Sequence, residues 1–227
     1  MSATILFVHG SFMSGWCWLP VIERLEHLDV VCRAVELPFT SLDDDVELLR
    51  AEIACAKEHG AVIVVCHSYS GITTSIAAHD ADQLVYVSAR LPQPGESQHA
   101  ISDAWGTAEF RACISSDDAG VSTLAPSADM LLFNRSPEWV ARTAIDRLRP
   151  MRSEIPVAPI EAPAWTTVPT TYVVCTDDLV VNVEQQRFRA SLVGRSVEID
   201  CDHSPFFSAP DDLAFALSNV VEMAVTR

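Results

Sequence analysis

The chain has 227 residues, enough for one large domain or two small ones. Apolar residues make up 49% and charged residues 20%, a balance that supports a sizeable core and excludes disorder as the main state. Acidic residues outnumber basic ones 31 to 15, a formal charge of −16, which argues against nucleic acid and anionic membrane surfaces as partners because both are met by basic patches.

The elements follow in chain order. Thr4 to Val8 is an apolar run read as a strand, and Gly15 to Leu28 has helical spacing with Trp18, Val21, Ile22, Leu25 and Leu28 on one face. Val30 to Val35 is a second strand. Ser41 caps a helix whose apolar stripe is Leu42, Val46, Leu49, Ile53 and Ala56, with Asp43, Asp44 and Asp45 in the first turn where the helix dipole favours negative charge. Gly60 ends it. Ala61 to Cys66 is a third strand with no polar alternation, as expected where both faces are covered. Ser70 to His79 reads as a helix and Leu84 to Ser88 as a fourth strand. From Pro92 to about Pro169 the rhythm breaks into Pro, Ser and scattered aromatics, with one clear amphipathic helix from Pro137 to Leu148. It resumes with strand Thr170 to Cys175, helix Val183 to Leu192, strand Ser196 to Asp200 and a helix from Asp211 to Val225.

Repeated β-α-β units imply an α/β fold of about six mainly parallel strands with helices on both faces. Residues 1–91 and 170–227 form its core in this reading, and 92–169 an inserted cap. Seven cysteines, several inside apolar runs and none in a C-x-x-C pair, suit buried thiols of a reducing, cytoplasmic compartment. The N-terminal run reads as a strand and not a signal peptide, and no apolar stretch approaches the ~18 residues of a membrane span. No metal cluster is visible.

A parallel sheet places ligands at the carboxyl ends of its strands. His9-Gly10-Ser11-Phe12 follows the first strand, His67-Ser68-Tyr69-Ser70-Gly71 the third, Thr176-Asp177-Asp178 the fifth and Cys201-Asp202-His203-Ser204 the sixth. Serine, then aspartate, then histidine, each past a strand end, is the chain order of an α/β-hydrolase triad. A nucleophile elbow needs small residues two before and two after the serine; around Ser68 these are Cys66 and Ser70, whereas Ser70 itself is followed two positions later by Ile72. Ser68 is therefore the expected nucleophile and His203 its base, since His27, His59, His79 and His99 sit in helix or loop contexts and His9 reads as structural. His67 is expected to point away from the nucleophile. Asp177 and Asp178 both follow the fifth strand, and Asp178 is preferred; Asp200 and Asp202 read as solvated. The backbone N–H groups of Ser11 and Tyr69 are the expected oxyanion donors.

These residues resemble the plant methylesterase and hydroxynitrile lyase group of α/β-hydrolases, with its bacterial relatives. Phe7 to Trp18 is similar to the group's His-Gly loop and Gly-x-Trp-x-Trp, Ser88 to Gly95 to its Pro-x-Pro-Gly, and Val174 to Asp178 to its acid turn, where the second residue after threonine is the carboxylate; that supports Asp178. Asp202-His203 resembles its histidine dipeptide. The elbow departs from the group in carrying Cys66 and Ser70 for two glycines. The group's lyases carry lysine after the histidine and threonine after the first-strand histidine, where this chain has Ser204 and Gly10. Both departures favour ester hydrolysis, by an acyl-enzyme on Ser68, over lyase chemistry. A cofactor-free lyase or cyclase on the same triad and a ligand-binding pseudo-hydrolase are the alternatives. The resemblance implies a cofactor-free, often dimeric enzyme acting on a small to medium, fairly apolar ester, thioester or lactone. Phe12, Trp16, Trp105, Phe133 and Trp139 are the expected pocket residues, with Phe110, Met130, Leu131 and Met151 further cap candidates and Phe206 and Phe207 either lining the pocket or packing the last helix. Arg90 and Arg135 could meet a substrate carboxylate, although a surface place is the ordinary expectation for each.

Overall fold

A computed structural model describes residues 3–97, 105–152 and 158–225. His99 lies outside them. Six parallel strands form the central sheet: β1 (Ala3–Val8), β2 (Val30–Val35), β3 (Ala61–His67), β4 (Gln83–Val87), β8 (Thr170–Cys175) and β9 (Arg195–Ile199), in the order β2-β1-β3-β4-β8-β9. The central strands β1, β3, β4 and β8 are buried almost throughout, whereas the edge strands β2 and β9 are largely exposed. That is why the inner strands read as unbroken apolar runs.

The first helical segment is split. Gly15–Trp18 is a 3₁₀ turn that leads into α1 (Leu19–Leu25), because Pro20 fits the first turn of a helix but not its interior. Helix α2 (Leu42–Lys57) starts at Ser41, whose hydroxyl accepts from the Asp44 N–H at 3.0 Å. Helix α3 (Ser70–Ala77) follows β3 directly.

Between β4 and β8 the chain builds α4 (Ala108–Ala112), β5 (Ile114–Ser116), β6 (Val121–Leu124), α5 (Asp129–Leu132), α6 (Glu138–Ile145) and β7 (Met151–Arg152). The three strands form a small antiparallel sheet, β5-β6-β7, which periodicity does not announce because each strand is four residues or fewer. This segment is tied to the loops beyond the strand ends. The Arg149 N–H donates to the Phe12 carbonyl at 2.7 Å, its guanidinium to the Leu37 carbonyl at 2.8 Å, and the Thr107 N–H to the Val180 carbonyl at 2.8 Å. Helices α7 (Val183–Ala190), α8 (Pro205–Ser208) and α9 (Pro210–Val225) complete the layers. Among the described residues no helix is long and apolar enough to cross a membrane.

Candidate active site

Ser68 sits where β3 turns into α3, with φ of +52°. A non-glycine residue there is strained, and its neighbours must enforce the turn. They do so by contact and by hydrogen bonds. A Cβ on Gly71 would lie 2.1 Å from the Arg90 carbonyl oxygen, so the chain behind β4 closes on the turn only because residue 71 has no side chain. Ser70, in the place of a second glycine, uses its hydroxyl: Oγ donates toward the Val8 and His67 carbonyls, each at 2.9 Å, and accepts from the His67 N–H at 3.0 Å. Cys66, on the other side, is fully buried.

The strand ends bring three residues into one row. His203 Nε2 lies 3.1 Å from Ser68 Oγ, and its Nδ1 lies 2.7 Å from Asp178 Oδ2. With Nδ1–H donating to the carboxylate, Nε2 is left to accept from the serine. Asp178 is held from every side. Oδ1 accepts the N–H groups of Val180 and Val181, each at 2.8 Å, and Oδ2 accepts from Ser88 Oγ at 2.6 Å and Gln186 Nε2 at 2.9 Å. Ser88 and Gln186 are the residues that sequence reasoning missed. The signal for Ser88 was its place at the end of β4; its φ of +40° is visible only in three dimensions.

Two further histidines are structural. The Leu37 N–H donates to His9 Nε2 at 3.1 Å, and His9 Nδ1 donates to the Gly10 carbonyl at 3.0 Å. Burial pushes the His9 pKa from 6.5 down to about 4, with the Gly10 carbonyl partly offsetting and Arg149 adding to the fall. His67 lines the cavity beside Ser68, and its Nε2–H donates to the His203 carbonyl at 2.8 Å, which steadies the base. Burial holds the His67 imidazole well below its ordinary range, with His203 adding to the fall. A Cβ on Gly10 would lie 2.6 Å from His67 Nδ1, so the His-Gly loop reaches the elbow only with glycine there.

A cavity of about 250 Å³ opens over Ser68 and His203. Ser11, Phe12, Tyr69 and Trp105 line it, together with Phe110 and Met151. The other three expected pocket residues are placed elsewhere. Trp139 is 73% exposed on the outer face of α6 and does not reach the cavity. Trp16 stacks on Phe207 at 5.4 Å beneath the Arg147 guanidinium, and Phe133 packs against Phe207 at 6.0 Å. Neither Trp16 nor Phe133 is among the residues that line the cavity. Met130 is likewise on the surface, and Phe206 packs against Trp18 and His67.

Two charged residues, Asp202 and Arg90, also differ from the sequence reading, and a third, Asp45, is buried at the start of α2. Asp202 is fully buried, not solvated: it accepts from the Arg135 N–H, Ser136 Oγ, the Ser204 N–H and Ser208 Oγ. Asp45 is fully buried too, accepting from Tyr69 Oη at 2.7 Å and the Phe39 N–H at 3.0 Å. Arg90 lines the cavity instead of facing solvent. Arg135 is on the surface, paired with Asp177 and Asp200. Among the described residues no three His, Cys, Asp or Glu side chains gather as a metal site.

The sheet order and the residues set at its strand ends are those of an α/β hydrolase. The chain belongs to the alpha/beta hydrolase family, whose model matches residues 5–217. It is 26% identical to methylesterase 7 of Arabidopsis thaliana, over 96% of this chain and 95% of that protein. It is 25% identical to methyl jasmonate esterase 1 of Vitis vinifera, over 96% of each. Among solved structures, a pyrethroid hydrolase from Sphingobium faniae superposes over 100% of both chains with a TM-score of 0.83 at 19% identity.

Proposed function

We propose that the protein hydrolyses a carboxylic ester through an acyl-enzyme on Ser68. One observation carries this reading: the unbroken row from Ser68 Oγ through His203 to Asp178, at 3.1 and 2.7 Å, at the floor of the cavity. Ser68 attacks the carbonyl while His203 Nε2 takes its proton, and Asp178 stabilises the imidazolium and fixes its tautomer. The backbone N–H groups of Ser11 and Tyr69 receive the oxyanion. His203 returns the proton to the departing alcohol. A water molecule then gives a proton to His203 and attacks the acyl carbon; as the Ser68 Oγ–acyl bond breaks, His203 returns that proton to Oγ and the acid is released. The segment between β4 and β8 acts as the cap, and its apolar wall suits a small to medium, fairly apolar acyl group. The plant esterases among the relatives support the same chemistry.

The test is covalent. A fluorophosphonate should add once, at Ser68, and an ester library should leave an acyl adduct there by intact mass. Ser68→Ala should abolish labelling and lower turnover by roughly 10⁴-fold or more. An unlabelled wild-type protein would point to a binding role; cyanohydrin or β-ketone turnover without ester hydrolysis would point to lyase chemistry.

A further inference from the structure

Among the described residues, four that are not glycine have positive φ: Phe12 (+63°), Phe39 (+57°), Ser68 (+52°) and Ser88 (+40°). Ser68 and Ser88 belong to the reacting row and its support. Phe12 and Phe39 lie on separate loops, after β1 and after β2, and both are gripped by one short stretch between β4 and β8, Arg149 to Arg152. The Arg149 N–H donates to the Phe12 carbonyl at 2.7 Å, and the Arg152 N–H to the Phe39 carbonyl at 3.1 Å. The Arg149 side chain spans the same two loops. Nε donates to the Met13 carbonyl at 3.3 Å, Nη2 to the Leu37 carbonyl at 2.8 Å, and the guanidinium lies 5.0 Å from the Phe39 ring centroid. Several donors in one plane, set over an aromatic face, are what arginine supplies and lysine does not.

Each loop carries or supports one of the two expected oxyanion donors. The Met13 N–H closes a turn on the Gly10 carbonyl at 3.3 Å, and Ser11 sits inside that turn, immediately before Phe12. On the other side, Phe39 packs edge-on against Tyr69, with ring centroids 5.9 Å apart. Asp45 ties these two together, accepting from the Phe39 N–H at 3.0 Å and from Tyr69 Oη at 2.7 Å. Arg149 itself is not among the residues that line the cavity, so it acts on the reaction only through these neighbours. Backbone strain of this kind persists only where the surroundings over-determine it, and it clusters at functional sites.

We propose that Arg149 is a positioning residue that holds the two loops so that the Ser11 and Tyr69 N–H groups converge on one oxyanion. The proposal rests on the ester-hydrolase reading. A main-chain donor takes its direction from whatever holds its loop, and preorganised direction is what an oxyanion site needs.

The experiment compares Arg149→Met with the wild type on an aryl ester and on two matched ligands, an aryl trifluoromethyl ketone and the corresponding methyl ketone. Ser68 Oγ adds to the trifluoromethyl ketone carbon, its proton passes to His203 Nε2, and the carbonyl oxygen becomes the oxyanion; the methyl ketone binds without that step. Deleting one oxyanion donor costs about 10²–10³ in kcat, and Arg149→Met leaves both donors present but loosely aimed, so kcat should fall by about ten- to a hundredfold. KM should stay within about threefold of the wild type. Trifluoromethyl ketone affinity should weaken by about the same factor as kcat/KM, while methyl ketone affinity stays within about threefold. Arg149→Lys, which keeps the charge without the planar fork, should fall between the two, and it carries the same test if Arg149→Met does not fold. Unchanged kcat and trifluoromethyl ketone affinity overturn the proposal. So does equal weakening of both ketones, which is what general damage to the cavity produces. A wild type that neither hydrolyses esters nor forms the hemiketal, read by fluorine NMR, sinks the hydrolase reading and this proposal with it. A wild type that does both, beside an unaffected variant, sinks this proposal alone.

Discussion

Ser88 Oγ lies 2.6 Å from Asp178 Oδ2, the same oxygen that faces His203 Nδ1 at 2.7 Å. The hydroxyl is 3.3 Å from Nδ1 itself, so serine and histidine approach one lone-pair region side by side. The serine is kept there at φ of +40°, a conformation that costs a non-glycine residue of order 1 kcal/mol or more. Strain tolerated next to the reacting groups points to a positioning role. Ser88→Ala should lower kcat by roughly ten- to a hundredfold with little change in KM. Ser88→Gly relieves the strain but also removes the hydroxyl, so it should lose activity to the same extent while melting no lower. Activity that recovers in Ser88→Gly would assign the effect to strain instead.

The turn at the nucleophile makes a steric prediction. A methyl group at position 71 would sit 2.1 Å from the Arg90 carbonyl oxygen, a backbone atom that cannot swing aside. Gly71→Ala must push β4's end away from the elbow, and overpacking of this kind costs about 1–3 kcal/mol or more. The variant should show a lower urea midpoint and lose labelling at Ser68 even under conditions where it remains folded. Wild-type stability and labelling would mean that the elbow is looser than the contact implies.

The serine, acid and histidine are legible in the sequence because a parallel sheet gives each strand end the same address, and the strands announce themselves as apolar runs. The residues that hold them are not legible. Gln186 lies on a polar-looking helix, and only packing reveals that it is fully buried, with Oε1 accepting from the Cys175 N–H at 2.9 Å. Asp202, Asp45 and Arg90 look solvated because charge usually is, and burial is decided by partners far away in the chain. Trp139 misleads in the opposite sense: an aromatic on an amphipathic helix normally faces inward, and here it faces out. The short β5, β6 and β7 strands have too few residues for any period to show.

Acid should destabilise the protein through its buried histidines. The folded pKa of His9, about 4, lies below its ordinary value of 6.5, so between these pH values the unfolded chain binds the extra proton. Stability therefore rises with pH across that window and is lost on acidification, by about 3 kcal/mol for His9 if the transition stays two-state. His67 is shifted the same way by its burial and adds to the loss. Asp45 works oppositely: its carboxyl is raised by burial, so it contributes stability at low pH that is lost as pH rises from 3.8. Urea midpoints measured from pH 8 to pH 4.5 should fall steadily below about pH 6.5. His9→Gln should flatten part of that slope, even if the variant is less stable at pH 8.

Asp202 joins two pieces of chain that the reaction needs in register. Oδ2 accepts from the Arg135 N–H and Ser136 Oγ, each at 2.9 Å, in the segment between β4 and β8. Oδ1 accepts from the Ser204 N–H at 2.9 Å and Ser208 Oγ at 2.7 Å, beside His203. Asp202→Asn preserves the shape but turns one acceptor into a donor that faces donors on its side. A buried group left unpaired costs about 1–3 kcal/mol, more where a charged partner is lost. The melting temperature should fall accordingly. Because the next residue is His203, kcat should fall with it while the Ser68→Ala protein keeps a normal melting temperature, which separates damage to this anchor from damage to the nucleophile. An Asp202→Asn protein with full activity and stability would show that the loop carrying His203 is held without this anchor, by the β9 ladder, α8 and the His67 hydrogen bond to the His203 carbonyl.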